Sequence, residues 1–186
     1  APTDTPTAAH AHGEAGIKNA VEAGITSVEH GTFMDREAAE MMAERGTYWV
    51  PTASALHGIV ENGTEAGIPA DAVAKAEDAA ERFDDAWEHA LDADVPIAMG
   101  TDAGTPFNYF GDIPAELSLM VEYGLSPADA LEAATVNAAD LLGLDDVGRV
   151  TEGYRPDLVV LDADPNADAG AWRDPEAVFL GGDRVV

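Results

Sequence analysis

The chain has 186 residues and a mass of 19.3 kDa, with 36 Asp and Glu against 9 Lys and Arg, so its formal charge is −27 and its pI near 4.1. That balance excludes nucleic acid as a partner, because phosphate contacts need clustered cations. The absence of Cys removes disulfides, thiolate ligands and thiol nucleophiles, and no apolar run approaches the ~20 residues that span a bilayer.

Hydrophobic residues make up 46% of the chain, enough for one core. The acids are spread along the whole length rather than gathered in a tail. Such a surface repels itself at low salt and is screened in concentrated salt, so a high-salt (halophilic) cytoplasm is the expected setting. No basic stretch followed by an apolar one opens the chain, which leaves secretion without a signal. It starts at Ala1 rather than Met and reaches its first His motif at residue 10, as though cut inside a domain.

In chain order, strand and helix alternate. A short, weak strand is predicted over 5–9, then a helix over 14–23 with Ile17, Ala20 and Val21 on one face, stopped by Gly24. A strand over 25–29 leads to His30, and a helix over 35–45 carries Ala38, Met41 and Met42 before Gly46. The run TYWV at 47–50 reads as a third strand ending at Pro51; one of Tyr48 and Trp49 faces the sheet's inner side. Residues 52–70 read as a long loop or lid. A strong helix over 71–92 stacks Phe83, Trp87 and Leu91, with His89 on its surface, and 95–100 gives the fourth strand.

A helix around 116–123 follows, then one over 126–142 with Ser126 as N-cap and Pro127 at the first helical position. Strands alternating with helices imply an α/β fold with a parallel sheet and right-handed crossovers. From residue 144 the character changes. Two short strands are expected within 148–165, and a hairpin over 177–186 turning at Gly181 and Gly182, a β-rich piece too small to stand alone. The division is therefore 1–143 and 144–186.

Three segments place chemistry where strands stop: AAHAHG (8–13), VEHGT (28–32) and MGTDAG (99–104). On the rim of a parallel α/β barrel, side chains from successive strand ends converge. His10, His30 and Asp102 can then hold Zn²⁺ while leaving a position open for water. A lone strand-end His is ordinarily a hydrogen-bonded loop imidazole; three such positions in register point to a shared site. His57, in the segment SALHG, either reaches a substrate from its loop or is solvated. Phe107, Asn108 and Tyr109 follow the Asp102 loop and either line a pocket or simply pack.

The order AHAHG, EHG, GTDAG, SPADALEAATVNAADLLGL and GRVTEGYRPDLVVLDADP resembles the amidohydrolase superfamily, in its prolidase-like and imidazolonepropionase-like branch. The resemblance implies the C-terminal half, strands five to eight, of a (β/α)₈ TIM barrel, plus part of a small β-sandwich domain. It implies that His10 and His30 hold a divalent metal, with Zn²⁺ the first choice, one or two ions in the complete enzyme. Asp102 would bind metal and act as general base. His12 would face the substrate, or replace His10 as ligand if the register slips by a step.

The family's first-strand His pair and bridging Lys have no counterpart. Lys18 and Lys75 fall on helices after the first and third strands. The expected reaction is hydrolysis of a C–N bond in a small amide, cyclic amide or Xaa-Pro dipeptide. The expected partners are that substrate and either the missing N-terminal half of the barrel or further copies of the chain. The rival readings are an inactive half barrel serving as a metal-binding or assembly unit, and a deaminase of the same superfamily.

Overall fold

Parallel strands β1 (Ala8–Gly13), β2 (Ser27–Phe33) and β3 (Tyr48–Val50) lie side by side in that order in the computed structural model, which describes residues 5–167 and 169–186. Ala8 is registered on Ser27, His10 on Glu29 and Ala11 on His30, and Ser27 on Tyr48. The first strand extends further than the sequence suggests. Thr7 accepts from the Thr26 and Ser27 amides, and pairing with β2 then carries on to Gly13, so His10 and His12 lie within the strand.

The fourth predicted strand, 95–100, is reduced to one bridge between Trp49 and Ile97. Trp49 donates its amide to the Pro96 carbonyl at 2.8 Å and accepts from the Ala98 amide at 3.0 Å. Pro96 has no N–H to continue the ladder, and the Met99 amide turns away to the Ala133 carbonyl at 3.0 Å.

Helices α1 (Glu14–Glu22), α2 (Arg36–Arg45) and α4 (Ala70–Asp92) form as their periodicity predicts. Asp35 caps α2 by accepting from the Ala38 amide at 2.9 Å, and Gly46 closes it in the left-handed conformation, φ 65°. Ile17, Val21, Ala38, Met42, Phe83, Trp87 and Ala90 pack with Val28, Trp49 and Ile97 of the strands in one core. Its centre is aromatic. The Trp49 ring lies 4.7 Å from Trp87 and 5.8 Å from Phe83, and Tyr123 stacks on Trp87 at 5.2 Å. Trp49 is therefore on the helix-covered face, and strand alternation puts Tyr48 on the inner one.

Four further expectations give way. The stretch read as a lid contains helix α3 (Ala53–Asn62) and a 3₁₀ turn (Thr64–Ala66). The reason is a buried carboxylate elsewhere in the chain, Glu116, which accepts from the first amides of α3. After α5 (Ile113–Glu122), the single helix expected over 126–142 is two, α6 (Pro127–Ala134) and α7 (Val136–Leu142). They break at Thr135, whose hydroxyl satisfies the Leu131 carbonyl at 2.7 Å.

Within 148–165 only β4 (Leu158–Val160) forms. The residues before it spend backbone bonds on local turns, Tyr154 to Thr151 and Arg155 to Asp146. The predicted hairpin is present: β5 (Ala177–Leu180) and β6 (Asp183–Arg184) join β4 in an antiparallel sheet, with Gly181 and Gly182 both at positive φ. His89, expected at the surface, is half-buried and hydrogen-bonded to the Met34 carbonyl at 3.1 Å. Among the described residues no helix is long and apolar enough to cross a membrane.

Phe83 joins the sheet-side Trp49 to Trp87 and Tyr123. Phe83→Ala is expected to destabilise the chain by about 3–5 kcal/mol, read as a lower urea midpoint at unchanged slope.

Candidate metal centre

Two residues apart on β1, His10 and His12 share one face, while Ala9 and Ala11 take the other. On β2 the same alternation, counted from buried Val28, would send His30 to the helix-covered side. A left-handed backbone at His30 (φ 70°) and Gly31 (φ 60°) turns the ring back. The Trp49 indole donates to the His30 carbonyl at 2.8 Å. A Cβ on Gly31 would lie 2.6 Å from that indole nitrogen, so the turn needs glycine.

The outcome is a cluster of three imidazoles whose ligand atoms all lie within 4.8 Å of one another. His30 Nε2 faces His10 Nδ1 at 3.0 Å, and the His12 ring stacks on His30 at 4.7 Å. Hydroxyls hold the far sides. His30 Nδ1 is 2.8 Å from Thr52 Oγ1, and His12 Nδ1 is 2.8 Å from Thr32 Oγ1. Burial lowers the pKa of both His12 and His30. Neighbouring imidazoles add to that (His10 beside His12; His12 and His10 beside His30), and the Asp102 charge opposes it. The two imidazoles are thus biased toward the neutral form that ligates cations.

Asp102 stands on the wall of the same cavity of about 300 Å³ as the three histidines, outside their immediate contact group. Its backbone is also left-handed, φ 54°. Buried Asn108 stakes the loop, donating to the Thr101 carbonyl at 2.5 Å and to Thr105 Oγ1 at 3.2 Å. Asn108 thus supports the Asp102 loop, while Tyr109 points to solvent. Apart from Thr32, Thr52 and Thr105, the rest of the cavity wall is apolar, with Phe33, Leu56, Ile59 and Phe83 prominent.

His57 is not brought to the cluster. It lies in a neighbouring cavity with Ser54, Asn108 and Arg173, and its Nε2 is 3.0 Å from the Tyr123 hydroxyl. Sequence reading missed four supports: Thr52, Thr32, Trp49 as a donor to His30, and fully buried Glu116. Glu116 accepts from the Ala53 and Ser54 amides at 2.8 Å each and from the Ser54 hydroxyl. Burial raises its pKa, against the hydrogen bonds from Ser54 and Ala53. Glu29, next to His30, is likewise raised by burial, although the Ser27 hydroxyl donates to it at 2.6 Å. Only the buried-acid pattern at Glu116, a lone carboxylate on an otherwise apolar helix face, was there to be seen.

The donor set fits a borderline divalent cation such as Zn²⁺, which takes imidazole nitrogen and carboxylate oxygen. Two nitrogens on a tetrahedral Zn²⁺ sit about 3.3 Å apart, and the His10 and His30 nitrogens already face each other at 3.0 Å.

A cluster of histidines carried by two adjacent parallel strands, with an Asp on the same cavity wall, defines a class, and the chain belongs to it. Residues 2–186 match the amidohydrolase family. Ochratoxinase from Aspergillus niger is 35% identical over 173 residues, which is 91% of this chain and 35% of that protein. Imidazolonepropionase from Rubrobacter xylanophilus is 43% identical over 98 residues, 52% of this chain and 22% of its own length. The crystal structure of a Xaa-Pro dipeptidase with methionine bound in the active site superposes with a TM-score of 0.86 at 36% identity, covering 96% of this chain and 44% of that one. The chain therefore spans less than half the length of these relatives.

The lowered imidazoles set a pH dependence. Unfolded, they take up protons near 6.5; folded, they resist, so stability is lost as pH falls through that value. Glu29 and Glu116, raised by burial, work in the opposite sense. The difference from a reference variant isolates the imidazole part. In chelator-treated chain, the gap in melting temperature between wild type and H12Q/H30Q is expected to narrow between about pH 7.5 and 5.5. A constant gap would contradict the shifts.

Proposed function

We propose that this chain is the C-terminal half of a metal-dependent amidohydrolase that cleaves a C–N bond in a small amide, cyclic amide or Xaa-Pro dipeptide. The observation that carries this reading is the three-imidazole cluster with Asp102 on the same cavity wall. In this proposal β1, β2, β3 and the 95–100 segment are strands five to eight of a (β/α)₈ barrel, and residues 144–186 belong to a small β-domain. The free edge of β1 and the exposed Val159, Val160 and Leu180 meet the other half of the protein, or further copies of the chain.

His10 and His30 would hold the cation, Zn²⁺ by the donor set, and Asp102 would complete the site. A divalent cation there would supply a Lewis acid for the substrate carbonyl and would lower the pKa of water toward about 7. Asp102 takes the proton from water and returns it to the leaving nitrogen. His12, on the inner face of β1 and braced by Thr32, contacts the substrate. His57, hydrogen-bonded to Tyr123 in its own cavity, stays outside this constellation. The charge of −27 fits a cytoplasm rich in salt.

The test is made on the complete protein carrying this chain, loaded with Zn²⁺ and offered a panel of Xaa-Pro dipeptides and simple amides. Amine release is expected, with turnover reduced by about 10²–10⁴-fold in Asp102→Asn. Undiminished turnover in that variant would remove Asp102 from the reaction. Ammonia released from an aminopurine or aminopyrimidine instead would place the protein with the deaminases, and no turnover on any substrate would favour an assembly role.

A further inference from the structure

Helix α3 begins in an unusual way. Thr52 occupies its N-cap position, where a Thr hydroxyl ordinarily accepts from an amide of the first turn. Here Thr52 has a left-handed backbone (φ 54°, ψ 44°), and its side chain caps nothing. Its hydroxyl proton goes to the Pro51 carbonyl at 2.6 Å, and Oγ1 lies 2.8 Å from His30 Nδ1. A hydroxyl has one proton. With that proton on the Pro51 carbonyl, Oγ1 can only accept from His30, so Nδ1 carries the imidazole hydrogen and Nε2 keeps its lone pair. That lone pair faces His10 Nδ1 at 3.0 Å.

The capping that Thr52 gives up is supplied from α5. Glu116, 63 and 62 positions further along the chain, receives the Ala53 and Ser54 amides on its two oxygens at 2.8 Å each, and the Ser54 hydroxyl as well. A carboxylate suits the positive end of a helix better than a hydroxyl does. It is fully buried, so nothing in solvent replaces it.

We propose that Glu116 is a positioning residue for the metal centre: by capping α3 in place of Thr52, it frees the Thr52 hydroxyl to fix His30 with Nδ1 protonated and Nε2 presented to the cation. The cation-binding part rests on the function proposed above; the tautomer does not, and can be read without metal. Without Glu116, the bare amides of α3 compete for Thr52 Oγ1, and His30 loses its fixed acceptor.

The experiment is ¹⁵N–¹H NMR of the histidine rings in the metal-free chain, followed by Zn²⁺ titration of wild type and variants. Wild type is expected to show His30 with a protonated Nδ1 and an unprotonated Nε2. Thr52→Val keeps the size and branching but removes the acceptor. It should give mixed His30 tautomers and weaken Zn²⁺ binding by about 10–100-fold, while Thr52→Ser restores both. Glu116→Gln, which turns an N–H₂ toward an amide, should reproduce the Thr52→Val spectrum at His30. Ser54→Ala, which deletes one of the three donors to Glu116 and spares the helix, should shift the tautomers in the same direction by less.

If Glu116→Gln or, should that variant not fold, Ser54→Ala lowers the melting temperature yet leaves the His30 tautomer and Zn²⁺ affinity within twofold of wild type, Glu116 is a helix cap alone and the proposal fails. Finding Nε2 protonated in wild type would also overturn it. A wild-type chain with the expected tautomer that binds no Zn²⁺ would retain the Glu116–Thr52–His30 link and defeat the metal reading instead.

Discussion

One hydrogen bond joins the core of this molecule to its chemistry: the Trp49 indole N–H donating to the His30 carbonyl at 2.8 Å. The indole belongs to the aromatic packing with Phe83 and Trp87, and the carbonyl belongs to a backbone turned left-handed so that the imidazole points inward. A left-handed non-glycine residue costs on the order of 1–3 kcal/mol and persists only where its surroundings impose it. The site contains three, at His30, Thr52 and Asp102, and each has a buried partner close by. Trp49 holds the carbonyl of the first, Glu116 holds the helix that begins at the second, and Asn108 holds the loop of the third. Strain and support come in pairs, which lets short strands aim side chains that their own alternation would misdirect.

The electrostatics follow the same geometry. Burial keeps His12 and His30 biased toward neutrality, while the Asp102 charge pulls the other way without prevailing. Neutral imidazoles beside the Asp102 carboxylate, in a molecule carrying −27, attract a cation with little competition from protons. The same charge repels anions over long range, an effect that salt shortens to within about 10 Å at 0.1 M and to about 3 Å at 1 M.

Much of this was legible in the sequence, for identifiable reasons. Ile17, Val21, Ala38 and Met42 recur at helical spacing, and Asp35 and Gly46 bracket α2, so those elements announce themselves locally. His10, His30 and Asp102 stood out because polar side chains at strand ends beside small residues are an uncommon local pattern, and they do line one cavity. What failed to show was non-local. Residues 52–62 lack a start signal of their own because the cap of α3 comes from Glu116, 62 positions or more away. The break at Thr135 is made by a side chain competing with the helix ladder, and a continuous periodic pattern hides it. The fourth strand looked complete because its apolar run is complete. Pro96 and the diversion of the Met99 amide to Ala133 decide otherwise.

The helix where a lid was expected changes what kind of cavity this is. A loop over 52–70 would close on a substrate and shape itself to it, whereas α3 presents Leu56 and Ile59 from a regular element whose start is fixed by a buried carboxylate. On the same cavity wall, Phe83 comes from the middle of α4, a helix of 23 residues, and Phe33 from the end of β2. The apolar wall beside the three imidazoles is therefore built from regular elements, and its shape is set before any ligand arrives. The Asp102 segment, where Thr105 and Pro106 line the cavity and Asn108 pins the backbone, contributes irregular chain to the wall, and the stretch that sequence alone names as the lid contributes a helix.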